Sequence, residues 1–388
     1  GQFAVIDAIE TPDAMTAVIK LKRPQPSLLP ILAQGWMSIY SAQDISGGFD
    51  FKAKTNGTGP FQMLDYLRGN RITYQRFDNY FVEGQPYVDK MSLFIVPDLS
   101  ATVANFQSGE LIFNGRFTVS EIKSLQGSLG DKMVVQRTPA LGFDTINFGQ
   151  RDPWRDDRVR RAVSMAMDRK AAITLLEEGE GDLGGYMPSS GMWALSEEEL
   201  RAIPGYAPVS DDQYQEARAL LSAAGVSDGY ETTILTRQGA SYEKLSLFIK
   251  DNLEKVGINA KPQVFETAAA YDALNARNFD MAPWSHGIAL DDPDAIFAEF
   301  YTTDAPRNYS EIGSKEVDDL FLKQSEMLDQ QQRAKLVKEL QQKAMPLYGK
   351  VILSWAVRRW AWWDKVQGYT AHQGLYNNQR FAEVWLKQ

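Results

Sequence analysis

The hydrophobic period of the chain changes sharply between Asp144 and Ile173. Asp144-Thr145-Ile146-Asn147-Phe148 reads as a strand that ends at Gly149, and Gln150-Arg151-Asp152-Pro153-Trp154 reads as a polar turn. Val159, Ala162, Val163, Ala166 and Met167 then recur at helical spacing, which predicts an amphipathic helix. Asp156 or Asp157 is placed to cap it, since a carboxylate accepts from the first free N–H groups and favours the positive dipole end. Arg158, Arg160, Arg161 and Arg169 fall on its other faces, and the arginine cluster reads as a solvated surface.

The clearest architecture lies between positions 210 and 284. Ser210 with Gln213 has the form of a capping box, and Tyr214, Ala217, Leu221 and Ala224 line one helix face before Gly225. A strand follows over Glu231 to Thr236. Ser241 is the expected cap of a helix carrying Leu245, Ile249, Leu253 and Val256, stopped by Gly257. Ile258 to Phe265 is a strand, Ala268 to Arg277 a helix and Phe279 to Pro283 a strand. The order β-α-β-α-β demands right-handed crossovers and a parallel sheet covered by helices, hence an α/β fold. Elsewhere, the first 22 residues read as paired strands around Thr11-Pro12-Asp13. Phe61 to Tyr66, Ile72 to Arg76 and Met91 to Ile95 read as strands, and Ser100 as the cap of a helix ending at Gly109. Ser314 to Met345 reads as a helical segment, and Val351 to Val357 as a strand buried on both faces.

Composition narrows the function classes. The 388 residues carry 41 basic and 50 acidic side chains, a net charge of −9, which argues against a nucleic-acid partner. The chain has no cysteine, so a disulfide framework, a thiol nucleophile and a Cys-ligated metal are excluded. It has two histidines, His286 and His372, far apart in sequence, which disfavours a histidine-based metal site. No G-x-S-x-G elbow is present. The spacing in Asp291-Asp292-Pro293-Asp294 does not suit a calcium loop, and the run reads as a helix cap. No cofactor, metal or catalytic residue is expected. No apolar run is long enough to span a bilayer. The opening GQFAVIDAIETPD lacks the basic and apolar regions of a signal peptide, and it reads as mid-domain strand, so a fragment or a mature form missing its front is expected.

Ligands of open α/β sheets bind beyond the carboxyl ends of the strands. Here those ends are Thr236-Arg237-Gln238-Gly239, Glu266-Thr267 and Trp284-Ser285-His286-Gly287. Trp284 and His286 are therefore candidate ligand contacts, with tryptophan offering a rigid apolar face and one N–H donor. Arg237 is a candidate partner for a ligand carboxylate.

The run from Asn147 onward has the pattern N-x-x-x-x-x-P-[FW]-x-D-x-R-V-R-x-A-x-x-x-A-x-D-R, and it resembles a segment of the family 5 extracellular solute-binding proteins. These are the receptors of peptide, opine and nickel ABC importers. Further motifs resemble that family in order. They include Gly57-Thr58-Gly59-Pro60-Phe61, Arg76-Phe77-Asp78-Asn79-Tyr80-Phe81 with Gly84-Gln85-Pro86, and Phe106-Gln107-Ser108-Gly109-Glu110. Ala217-Arg218 through Ala224-Gly225, Phe279-Asp280 with Asp292-Pro293-Asp294, and Asp329 with Arg333 complete the series. Phe77 stands where the family usually has Asn, and Phe113 near an expected Asp.

The resemblance implies a two-lobed periplasmic-binding-protein-like fold (type II, cluster C) with mixed and parallel sheets. Lobe one is expected at 1–144 plus 356–388 and lobe two at 145–355. A further N-terminal segment typical of the family is not in this sequence, so lobe one is expected to be partial. By the same resemblance, Trp193 on the loop after the helix, Phe143 beside the first crossing, and Arg358 and Trp360 after the return crossing join the ligand candidates. The implied function is that of a monomeric, non-enzymatic receptor, periplasmic or extracellular and open to lipid anchoring. It would capture a short peptide or an opine-like compound by hinge closure and deliver it to an ABC permease. An oligosaccharide receptor of the same fold and a carboxylate-based glycoside hydrolase are the alternatives.

Overall fold

A computed structural model describes residues 3, 5–35, 37–373 and 380–387. In chain order its strands include β1 (Ile6–Asp13), β2 (Thr16–Leu21), β3 (Phe61–Leu67), β4 (Arg71–Arg76), β5 (Lys90–Phe94) and β6 (Phe113–Asn114). β7 (Met133–Phe148), β8 (Tyr230–Arg237), β9 (Ile258–Phe265), β10 (Met281–Gly287) and β11 (Lys350–Trp363) follow. The chain forms two units: a larger one of Gly1–Leu32 with Pro139–Val357, and a smaller one of Ala33–Thr138 with Arg358–Gln388. The chain passes between them inside the long strands β7 and β11. Sequence periodicity has no break there, which is why the expected limits at 144/145 and 355/356 lie a few residues away. Residues 1–32 fall in the larger unit rather than with residues 33–138. Ser27 Oγ donates to Asp294 Oδ2, and Arg23 lies 3.7 Å from Glu326. Contacts between positions so distant leave no local pattern.

In the larger unit the strand order is β11-β7-β10-β8-β9. β8 and β9 run parallel from Tyr230↔Ile258 to Arg237↔Phe265, and β10 joins β8 in parallel at Met281↔Ile234. β7 pairs antiparallel with β10, from Phe148↔Met281 to Gly142↔Gly287, so the sheet is mixed. The crossover helices are Ala240–Glu254 and Thr267–Asn275. One core packs Leu245, Ile249, Leu253 and Val256 against Ile234, Ile258 and Met281. A second gathers Phe143, Trp355, Ile296, Phe297, Phe300, Val337 and Leu340. Residues 314–345 form two helices, Lys315–Ser325 and Gln330–Ala344, because Asp329 caps the second through the Gln332 N–H at 2.8 Å.

Several caps differ from expectation. The helix at 240 begins on Gly239 with no side-chain cap, rather than on Ser241. The helix Leu99–Ser108 is capped by Asp98, whose Oδ1 accepts from the Ala101 N–H at 2.7 Å, rather than by Ser100. Ser210 does cap its helix, but the Gln213 amide donates to the Met165 carbonyl at 2.6 Å instead of closing the box.

The arginine cluster divides. Arg158 and Arg161 bind carboxylates at the surface. Arg160 and Arg169 are buried and donate to backbone carbonyls: Arg160 to Trp154, Arg155 and Leu347, Arg169 to Ser164, Gly205 and Ile352. The Arg169 guanidinium also lies 4.1 Å from the Tyr206 ring centroid. Gly205 permits this approach: its φ is +95°, and a Cβ there would meet the Ser164 carbonyl oxygen at 2.6 Å.

In the smaller unit β3-β4-β5 form an antiparallel sheet, and β6 pairs with β11 at Asn114↔Ala361 and Phe113↔Trp362. Phe106, Phe117, Ile122, Leu125 and Ala361 make one core. Trp360, Trp362, Tyr369 and Val384 make another.

Candidate functional site

Arg237 is the last residue of β8. Its Nη1 donates to Tyr242 Oη at 3.0 Å, and its Nε to Thr267 Oγ1 at 3.4 Å. The guanidinium lies 4.7 Å from the Tyr242 ring centroid and 5.5 Å from that of Tyr271. Among the described residues no carboxylate pairs with it. The crossover helices supply both tyrosines, and β10 supplies Trp284, whose ring lies 5.6 Å from Tyr242 and 5.0 Å from Tyr271. Trp284 is 2% exposed and Tyr271 40%, so Trp284 forms the floor and Tyr271 the accessible wall.

The β7–β10 register sets Asp144 opposite Ser285 and Phe143 opposite His286. Cross-strand neighbours share a face and successive residues alternate, so the two pairs face opposite ways. The Ser285 hydroxyl donates to Asp144 Oδ1. The Asp144 carboxyl is pushed up to about 7, first by desolvation and then by the nearby Glu177 carboxylate, against the lowering effect of the Ser285 bond. Glu177 Oε1 in turn accepts from Ser354 Oγ at 3.0 Å. Burial is the main cause that raises the Tyr242 hydroxyl, and Asp144 adds to it. Arg237 offers a cation beside tyrosine hydroxyls, a set suited to a ligand carboxylate.

His286 and Phe143 lie on the interior side. The His286 ring is 5.3 Å from Phe143, 4.9 Å from Phe300 and 6.2 Å from Tyr309. Its Nε2 has no partner among the described residues. Desolvation, then Lys350 and Arg307, hold its pKa well below the ordinary value, so it is neutral. The Lys350 ammonium donates to Asn147 Oδ1 and sits 5.2 Å from the Tyr309 ring centroid. Desolvation, then Arg307, bring it down to about 7.

The remaining candidates lie in separate places. Trp193 is 6% exposed, donates Nε1 to the Asp291 carbonyl at 3.2 Å and carries the Arg333 guanidinium 5.0 Å from its ring centroid. Arg358 and Trp360 belong to the smaller unit. Trp360 is buried with Nε1 donating to Thr138 Oγ1 at 3.1 Å, and the Arg358 guanidinium is 5.5 Å from its ring centroid. Sequence reasoning missed Asp144, Glu177, Tyr242, Tyr271 and Ser285. One signal was available for Asp144: it is the one carboxylate in a strand that also carries Phe143, Thr145, Ile146, Asn147 and Phe148. Among the described residues no group of His, Asp or Glu side chains is disposed to hold a metal ion.

The structure is thus a mixed α/β sheet with polar groups at a strand's carboxyl end. The family model for bacterial extracellular solute-binding proteins, family 5 Middle, matches residues 2–308, and the chain belongs to that family. It is similar to the oligopeptide-binding protein AppA of Bacillus subtilis, at 25% identity over 86% of this chain and 63% of the relative. It is also similar to the dipeptide-binding protein of Escherichia coli, at 26% identity over 88% of this chain and 64% of the relative. The chain thus spans less than two thirds of these relatives. Among solved structures, HbpA2 from Haemophilus parasuis superposes with a TM-score of 0.82 at 21% identity, over 99% of this chain and 76% of that one. DppA from Helicobacter pylori in complex with the peptide STSA gives 0.81 at 24%, over 99% and 75%. These likenesses establish the two-lobed periplasmic-binding-protein fold.

Proposed function

We propose that the protein is the receptor of an ABC importer, acting as a monomer outside the cytoplasm. Its ligand is a short peptide or an opine-like compound bearing an anionic group, which it hands to a membrane permease. Arg237 carries this reading. It is a partly buried guanidinium without a carboxylate partner among the described residues, set between two tyrosines at a strand's carboxyl end. The names of the peptide-binding relatives support the ligand class. Family membership supports binding rather than catalysis and weighs against a glycoside hydrolase. The oligosaccharide alternative is also disfavoured, because Trp284 and Trp193, the rings on which a sugar would stack, are 2% and 6% exposed.

Titration calorimetry against a dipeptide panel tests the reading. Arg237→Ala is expected to weaken a free peptide by about 1.5–3 kcal/mol, the range for a hydrogen bond to a charged group. The same peptide with an amidated carboxyl end should lose nothing further on that substitution. Equal losses for both peptides would count against Arg237 as the carboxylate partner. The hinge closure implied by the resemblance predicts compaction on ligand binding, and an unchanged radius of gyration in small-angle scattering would overturn that mechanism.

A further inference from the structure

Two Asn-Gly dipeptides occur in the sequence, Asn56-Gly57 and Asn114-Gly115. Their surroundings differ. Asn56 and Gly57 lie in an exposed loop, and a Cβ at Gly57 would meet nothing within 4 Å. The Gly57 N–H makes no hydrogen bond among the described residues. Asn114 ends β6 and is paired with Ala361, and its Oδ1 accepts from the Arg116 N–H at 3.2 Å. Gly115 packs flat against Trp360, where a Cβ would meet the ring at 2.4 Å.

We infer that Asn56 is a site of spontaneous covalent modification in the native protein, and that the fold protects Asn114. The Gly57 nitrogen attacks the Asn56 side-chain carbonyl carbon, a new C–N bond closes a five-membered imide, and the Cγ–Nδ2 bond breaks. The proton from the Gly57 nitrogen leaves with the amide nitrogen as ammonia. Water then opens the imide at either carbonyl, giving aspartate or isoaspartate. This ring closure needs a free backbone nitrogen and room to rotate; neither glycine N–H is hydrogen-bonded among the described residues, but only Gly57 has open space around it. At position 114 the backbone is tied into a strand pair and a tryptophan face, so the reaction must wait for local opening.

The modification has a structural consequence. Asn56 Nδ2 donates to Asp44 Oδ2 at 2.5 Å, tying the loop to the helix Ala42–Ser46. The product carboxylate removes that donor and faces Asp44 with like charge. The tie is then lost and the short helix loosens.

Peptide mapping by mass spectrometry, with isoaspartyl-methyltransferase labelling, tests the inference on the whole protein aged in warm, mildly alkaline buffer. Conversion at Asn56 should exceed that at Asn114 by on the order of tenfold or more, since Asn56 is held by one exposed side-chain bond whereas the Asn114 backbone is paired in a sheet. In concentrated urea the two sites should convert at similar rates. Gly57→Ala should suppress conversion at Asn56 while leaving the circular dichroism spectrum unchanged. Comparable native rates at the two sites would overturn the inference, as would an undiminished rate in Gly57→Ala. Asn56→Asp should raise amide hydrogen exchange across Ala42–Ser46, and unchanged exchange there would overturn the proposed loosening.

Discussion

Lys350 and Tyr186 show how single buried groups govern this fold. The unfolded chain protonates Lys350 near the ordinary 10.5 and the folded chain near 7. Between those values the unfolded state holds more protons, so folded stability rises with pH, while below about 7 the penalty is complete and constant. Lys350→Met should therefore flatten the rise in stability between about pH 7 and 10.5, read from urea midpoints across that range; an unaltered slope would refute the assignment. Tyr186 and Tyr301 form a matched pair, with rings stacked 3.8 Å apart and both buried. Tyr186 Oη donates to the Lys350 carbonyl at 3.1 Å, whereas Tyr301 Oη has no partner among the described residues. Tyr186→Phe should cost about 1–3 kcal/mol, the penalty of an orphaned buried carbonyl, and Tyr301→Phe much less. Equal losses in denaturant titrations would contradict this difference. At the same scale, the place of Arg237 at a strand end was legible because strand ends are predictable positions, whereas Trp284, expected just beyond a strand ending at Pro283, lies inside β10 (Met281–Gly287). The tyrosines that hold them were not, because Tyr242 and Tyr271 look like ordinary helix-surface residues until the crossovers bring them together.

Elements were more legible than the contacts between them. The helices over 211–223, 240–254 and 267–275 and the strands they connect follow directly from apolar spacing, since each buries one face against the sheet. The capping role of Asp292 was readable too, and its Oδ1 accepts from the Asp294 N–H at 2.9 Å. What sequence did not show is that Arg333, on another helix, grips Asp292 with two bonds of 2.9 and 2.8 Å and lies 3.5 Å from Asp294. Gln324 and Ser325 also bind Asp294, and Ser27 joins from the N-terminal segment. Three helices and that segment thus meet at one buried ionic network. Arg333→Met strands two buried carboxylates and should cost about 3–5 kcal/mol. Adding Asp292→Asn should restore part of the loss, because the two sites are in contact and not additive. A double mutant as unstable as the sum of the singles would show that the pair is not coupled.

At the scale of the whole molecule the two units differ in how fully their strands are covered. β8 and β9 lie under the crossover helices, with Ile234, Ile258 and Leu253 at 0% exposure. In the smaller unit, the sheet of β3, β4 and β5 leaves Leu64, Tyr66, Leu67, Leu93 and Phe94 between 38% and 53% exposed. Apolar burial is the main stabilising term, and local opening costs least where few apolar contacts must be broken. Backbone hydrogen bonds in β3–β5 should therefore open at far lower free energy than those in β8 and β9. Hydrogen–deuterium exchange with peptide-level resolution reads this directly: peptides covering 61–94 should exchange early and those covering 230–265 last. Slow exchange across 61–94, matching that of 230–265, would mean that this sheet draws stability from something other than its own apolar contacts.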